Sequence, residues 1–151
     1  MAGEIQLNSV SLATESSGTV TLNSSTDIKG CLNASGSAPI YACRAWINFD
    51  GSSASIGTGR ANGNVSGVTD NGTGDYTVTF ATAMPDVNYS FVASAGSESA
   101  ITVSGIFCGL KDHTTTGYKL AGSIQLESYI INASANRTNV DQTQISLAIF
   151  R

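Results

Sequence analysis

Charge is what this chain has least of. Only 12% of its 151 residues are charged, about half the usual share. Seven Lys and Arg stand against eleven Asp and Glu, a formal net charge of −4, with no basic cluster. A phosphate backbone is therefore not an expected partner. Glu, Lys and Arg at the i, i+4 spacing that supports exposed helices are missing too, and no helix longer than about two turns is expected. No apolar run approaches the roughly 18 residues needed to cross a bilayer, so membrane insertion is not expected. The opening stretch MAGEIQLNSV lacks the basic region and apolar core of a signal peptide, and the expectation is synthesis and retention in a cytosol. A single histidine, His113, and three cysteines without a CxxC pair leave no metal-ligand pattern, and no cofactor is expected. Cys31, Cys43 and Cys108 read as reduced, small packing residues, with a Cys31–Cys43 bridge as the alternative.

What the chain does contain is hydroxyl, glycine and alternation. Ser and Thr make up roughly a quarter of it, well above ordinary usage, beside 16 Gly and only two Pro. The segments CRAWINF, DYTVTF and QISLAIF place apolar residues at spacing two, the period of a half-buried strand. Strand-like segments recur about every 10 residues with turns between them, the pattern of an all-β fold. The expected architecture is an antiparallel β-sandwich, jelly-roll-like. Apolar residues in GIFCGL and SYIINA fall on adjacent as well as alternate positions. A one-sided sheet would leave some of them wet, so assembly as a homotrimer is expected.

Residues 1–41 differ from the rest. They hold strand-like alternation at Ile5, Leu7, Val20 and Leu22 but no aromatic residue before Tyr41. They read as an N-terminal arm for assembly or attachment, and residues 42–151 as the β-sandwich body. Alone, such an arm could not offset an ordering cost of roughly 1–2 kcal/mol per residue.

The stretch VSGVTDNGTGDYTVTF invites a metal or phosphate reading. Its glycines stand at the wrong offsets for a calcium loop, and no closing Glu follows. No Lys follows either, and a strand comes next where a phosphate cradle needs a helix N-terminus. A hairpin fits better: Asn71-Gly72 can take positive φ at both positions and Gly74 can supply a left-handed bulge residue. Asp70 and Asp75 would anchor the turn through backbone N–H groups. Catalytic patterns are equally thin. His113 beside Asp112 lacks a nucleophile elbow. Glu98, Glu127, Asp112 and Asp141 could be paired for glycoside cleavage only without a supporting pattern. No catalytic residue is assigned, and no enzyme is expected.

RAWINFDG, NVSGVTDNGTGDYTVTF and MPDVNY together resemble a β-domain family of phage tail fibres and related virion proteins. Its pattern runs Ala-Trp-x-Asn-Phe-Asp/Asn-Gly, then Asn-Val-Ser-x-x-x-Asp-x-Gly-x-Gly-x-Tyr-x-x-x-Phe, then Met-Pro-x-x-x-Tyr. Trp46, Phe49, Asp70, Asn71, Gly72, Gly74, Asp75, Tyr76 and Pro85 are the positions read as structural within it. The resemblance covers Ala45 to the C-terminus, is tightest to Ser94, and does not extend to the first forty residues. It implies a bacteriophage virion structural protein, often trimeric, assembled in the bacterial cytoplasm. Its partners would be itself, a tail or major capsid protein, and a host surface glycan. A tail-fibre-like attachment domain is the leading expectation, a capsid decoration (cement) protein the alternative, and a carbohydrate-binding module with Trp46 or Tyr118 as stacking platform the third. Receptor contact would fall to the polar tips 111–118 and 132–142, which carry His113, Tyr118 and Arg137.

Overall fold

The computed structural model describes residues 3–7, 10–22, 41–97, 105–111 and 117–151. They contain thirteen strands and no helix. All pairings are antiparallel. The chain divides into two compact units, Met1–Ile40 and Tyr41–Arg151, one residue before the expected boundary.

The first unit, expected as an arm, includes a three-stranded sheet of β1 (Gly3–Leu7), β2 (Val10–Ser16) and β3 (Thr19–Leu22). β1 and β2 run antiparallel, with Leu7 opposite Val10. Between β2 and β3, Ser17 and Gly18 both take positive φ, 54° and 81°, as a two-residue turn matching the strand twist requires. The side chains of Ile5, Leu7, Val20 and Leu22 lie outside the described part of the molecule.

The second unit holds two sheets. One has four strands: β4 (Cys43–Phe49), β5 (Ala61–Gly63), β8 (Ser90–Gly96) and β13 (Gln144–Phe150), in the order β5-β4-β13-β8. The other is built around β11 (Ser123–Ile131), with β6 (Val65–Gly72), β7 (Asp75–Phe80), β9 (Gly105–Leu110), β10 (Lys119–Leu120) and β12 (Arg137–Asn139). Because β7 and β9 both pair with Leu126 and Glu127, they flank β11 on opposite edges. The edge of β7 continues into β12, and that of β9 into β10. The segment 132–142, expected as a polar loop throughout, thus contributes a strand, because Ile131↔Arg137 and Tyr129↔Asn139 pair across a short hairpin.

Alternation decides which side chains go inside. Ala45, Ile47 and Phe49 of β4, Tyr76, Val78 and Phe80 of β7, Ile124 and Leu126 of β11, and Ile145, Leu147 and Ile149 of β13 form one core with Val65, Met84 and Tyr89. Each fully buried Leu, Ile or Phe is worth about 1.5–3 kcal/mol relative to exposure. The aromatic residues pair edge to face. Phe49 meets Tyr76 with centroids 5.2 Å apart, and Phe80 meets Tyr89 at 5.9 Å. The Tyr89 hydroxyl, shared between the carbonyls of Leu120 and Ser123, tethers the 81–89 connection to the β10–β11 turn. Burial pushes its pKa up to about 12.

The β6–β7 hairpin forms, but its turn is not at Asn71-Gly72. Gly72 pairs with Asp75, so Thr73-Gly74 is the loop. Asn71 is absorbed in a bulge between Asp70 and Gly72 and lacks positive φ, while Gly72 (137°) and Gly74 (69°) have it. Asp70 does cap its turn, accepting from the Gly72 N–H at 2.9 Å. Asp75 does not. The Gly74 N–H donates to Asp141 instead, at 2.6 Å. The expectation for Asp75 fails because its side chain is drawn to Lys111 on another strand edge. Asp141 also accepts a hydrogen bond from the Tyr76 hydroxyl (2.7 Å), with the Gly51 carbonyl 3.2 Å from the same hydroxyl. Burial first, and Asp141 second, hold that phenol protonated far above its ordinary range. Asp141 lies between β12 of one sheet and β13 of the other, so this cluster ties the sheets together at one end.

Cys108 packs against the core and is a free thiol. Burial raises its pKa to about 12, which makes it unreactive. Cys43, also free, is exposed at the start of β4 instead of packed. Cys31 lies outside the described residues. No helix among those residues is long and apolar enough to cross a membrane.

Candidate functional site

The side chains of the larger sheet that point away from the core form a dense polar and aromatic strip. It follows from parity. On β11 the inward Ile124, Leu126 and Ser128 leave Gln125, Glu127 and Tyr129 outside. Register then sets the rows. Phe107, Tyr129 and Asn139 share one, Gly109, Glu127 and Asp75 the next, and Gln125 pairs with Thr77 in the row after.

Phe107 and Tyr129 stack with centroids 5.3 Å apart and planes 17° from parallel. The Arg137 guanidinium lies over the Tyr129 ring at 4.1 Å and pairs with Glu127. The other Glu127 oxygen accepts from the Asn139 amide at 2.7 Å. In the adjoining row Lys111 pairs with Asp75 at 2.5 Å, the Gln125 amide donates to Asp75 at 2.7 Å and the Asn71 amide at 3.3 Å. Burial works against ionising Asp75, but the hydrogen bonds from Lys111, Gln125 and Asn71 outweigh it and hold the carboxyl below its ordinary value. The bond to Asp75 raises Lys111 in turn. Tyr118 completes the strip, its ring 5.4 Å from the Lys111 ammonium.

The 111–118 tip is anchored here. Lys111 N–H donates to the Gln125 carbonyl and Gln125 N–H to the Tyr118 carbonyl, so one residue of β11 receives both ends of the excursion. Of the three expected receptor contacts, Tyr118 and Arg137 fall on this one face, although they lie 19 positions apart in sequence. His113 lies outside the described residues, as do Asp112 and Glu98.

Chemically the strip offers binding groups, not an acid–base pair. Asp75 is held ionised, and both oxygens of Glu127 are occupied by Arg137 and Asn139, so neither is arranged as the general acid of glycoside cleavage. Asp141 anchors a turn. Among the described residues no three His, Cys, Asp or Glu converge as metal ligands.

Of the positions read as structural within the pattern, Asn71 and Asp75 belong to the strip, and the others sit elsewhere. Phe49 and Tyr76 are core, Pro85 is exposed beside buried Met84, and Asp70 and Gly74 shape a turn. Trp46 is on the outer face of the four-stranded sheet, 44% exposed, its indole lying over Gly63, where a Cβ would sit 2.4 Å from the ring nitrogen. A cleft of about 400 Å³ is lined by Tyr41, Asn88, Ser90, Phe150 and Arg151. Among its described lining residues one is charged, against four in the strip. Phe107, Tyr129, Glu127 and Asn139 escaped selection as a binding group because nothing local marks them; only the pairing of β9 and β12 with β11 assembles them. Compared with known proteins, the chain matches no family model, no curated protein and no solved structure.

Proposed function

We propose that this is a structural protein of a bacteriophage virion. Its 41–151 unit acts as a homotrimeric, tail-fibre-like β-sandwich of jelly-roll type that attaches the particle to its host. The observation that carries the reading is the match between pattern and packing. The residues resembling the virion family are those on which this body is built: the Phe49–Tyr76 and Phe80–Tyr89 pairs, buried Met84, and the Gly72 and Gly74 turn. A pattern that specifies a scaffold leaves the outer faces free for recognition, and the strip around Glu127 has the aromatic, amide and ionic groups that recognition uses. The protein acts by binding, without catalysis, and its place is the virion.

A capsid decoration role is the second reading. It is favoured by the outer face of the four-stranded sheet, where Trp46 and Val92 are exposed on a surface suited to lying against other subunits. In both readings residues 1–40 serve assembly. Immunogold electron microscopy of purified particles separates the two. Label at the tail tip supports attachment, label over the head supports decoration, and unlabelled particles remove the virion reading. Native mass spectrometry checks the trimer.

A further inference from the structure

Gly109 leaves a gap in the strip. It faces outward in the row of Glu127 and Asp75, and a Cβ built there would meet none of the described residues within 4 Å. Its same-face neighbours are Phe107 and Lys111. The Phe107 ring leans the other way, over Gly105, where an added Cβ would come within 2.7 Å of it. One strand edge thus presents an open notch one side chain wide. Phe107, 45% exposed, stands on one side, the Lys111–Asp75 pair on the other, and Glu127 with its partners Arg137 and Asn139 behind.

We infer that this notch binds an uncharged sugar unit of a surface glycan, an inference that rests on the attachment reading and names its ligand class. Three features select that chemistry. The first is an exposed aromatic ring fixed by its stack on Tyr129, whose uncovered side offers an apolar surface to the C–H face of a pyranose. The second is a set of carboxylate, amide and guanidinium groups fixed by one another. Sugar hydroxyls, each both donor and acceptor, match the chemistry of such a mixed set of donors and acceptors. The third is charge balance. Lys111 and Arg137 are matched by Asp75 and Glu127, so the strip carries no net charge. An acidic sugar would have to break an existing ion pair and leave a shielded carboxylate behind, whereas a neutral one need not. Room for one side chain means one or two sugar units, hence weak binding per site, which repetition within a trimer would strengthen by avidity.

The test uses the whole protein on an array of neutral hexose and N-acetylhexosamine oligosaccharides, with sialylated and sulfated oligosaccharides beside them. Gly109→Val fills the notch at a position that needs no positive φ and suits a β-branched residue; Phe107→Ala removes the ring. Expected is binding to at least one neutral glycan, weakened at least about tenfold by either variant, with an unchanged melting temperature for Gly109→Val. Arg151→Ala, which breaks only an exposed pair with Asp86 after the last strand of the other sheet, should bind as the parent does. The inference is overturned if no neutral glycan binds, if only acidic ones do, or if Gly109→Val binds equally well. It is also overturned if the two variants alter the sedimentation coefficient but not glycan retention, which would make the face a subunit contact. A protein found on virions that ignores the array defeats this inference alone; one that binds neutral glycans but is absent from virions defeats the attachment reading alone.

Discussion

On the outer face of the six-stranded sheet, Lys111, Asp75, Glu127 and Arg137 form two ion pairs in neighbouring rows, beside stacked Phe107 and Tyr129. On the outer face of the four-stranded sheet the rows read Trp46, Ala148 and Val92, then Asn48, Ser146 and Ser94. The second set makes one side-chain bond of its own, from the Asn48 amide to the Ser146 hydroxyl. The inner faces of the same two sheets are almost interchangeable in chemistry. Burial constrains every second residue to be apolar and says little about the others. Each outer face is therefore free to take its own chemistry, and here they took different ones, one organised and polar, the other small, flat and partly apolar.

The largest effect should come from what the two faces share. Leu126→Ala removes a fully buried side chain from the core and should cost about 2–5 kcal/mol in equilibrium denaturation. Intrinsic fluorescence of Trp46 and a label on the other sheet should then report one coincident transition; two separate ones would break the idea of a common core.

Next is the tie between the sheets. Gly74 has φ of +69°, and a Cβ there would meet the Ser128 carbonyl at 2.3 Å. Gly74→Val should destabilise by about 1–3 kcal/mol from strain alone, and chelators should leave the melting temperature of the parent unmoved.

A smaller difference separates the ion pairs. Arg137→Ala strips a partner from Glu127, whose side chain is 11% exposed, and should cost about 1–2 kcal/mol. Arg151→Ala breaks an exposed pair with Asp86 and should change nothing measurable. Equal effects would mean that the strip is no better organised than ordinary surface.

Acid should expose the same contrast. The folded-state pKa of Asp75 lies below its unfolded value, so its contribution is present above the unfolded value and lost as pH falls through the folded one. From roughly pH 5 down to pH 2 the parent should lose more stability than Asp75→Asn; parallel curves would dismiss Asp75 as a contributor. Smallest of all, Val92→Ser should alter monomer stability by no more than about 0.5 kcal/mol. If it nonetheless dissociates a trimer in native mass spectrometry, the plain face is where subunits meet.

Much of the body was legible. CRAWINF, DYTVTF and QISLAIF are β4, β7 and β13 at those bounds, because alternation is a property of neighbours and survives without tertiary context. The same alternation puts Trp46 on the face opposite Ile47 and Phe49, where it is 44% exposed. Turn chemistry was less secure. Asn71-Gly72 has the right residues for a two-residue turn, yet the register of β6 against β7 placed the turn two residues later, while Ser17-Gly18, which nothing in the sequence singled out, has positive φ at both positions. The strand in 132–142 was missed because RTN has no apolar alternation; it is a strand only because β11 offers it an edge.

By itself, then, the sequence determined that this protein is all-β and which alternate side chains would leave water, since the period-two pattern and the scarcity of charge act locally. Only the tertiary structure decided which acid holds which turn, and which polar residues meet. Asp141 reaches Gly74 from 67 positions away, Lys111 reaches Asp75 from 36, and Tyr118 and Arg137 share a face. Those meetings depend on which strand lies beside which and in what register, and that is set by closing long loops around a common core, not by any neighbouring residue.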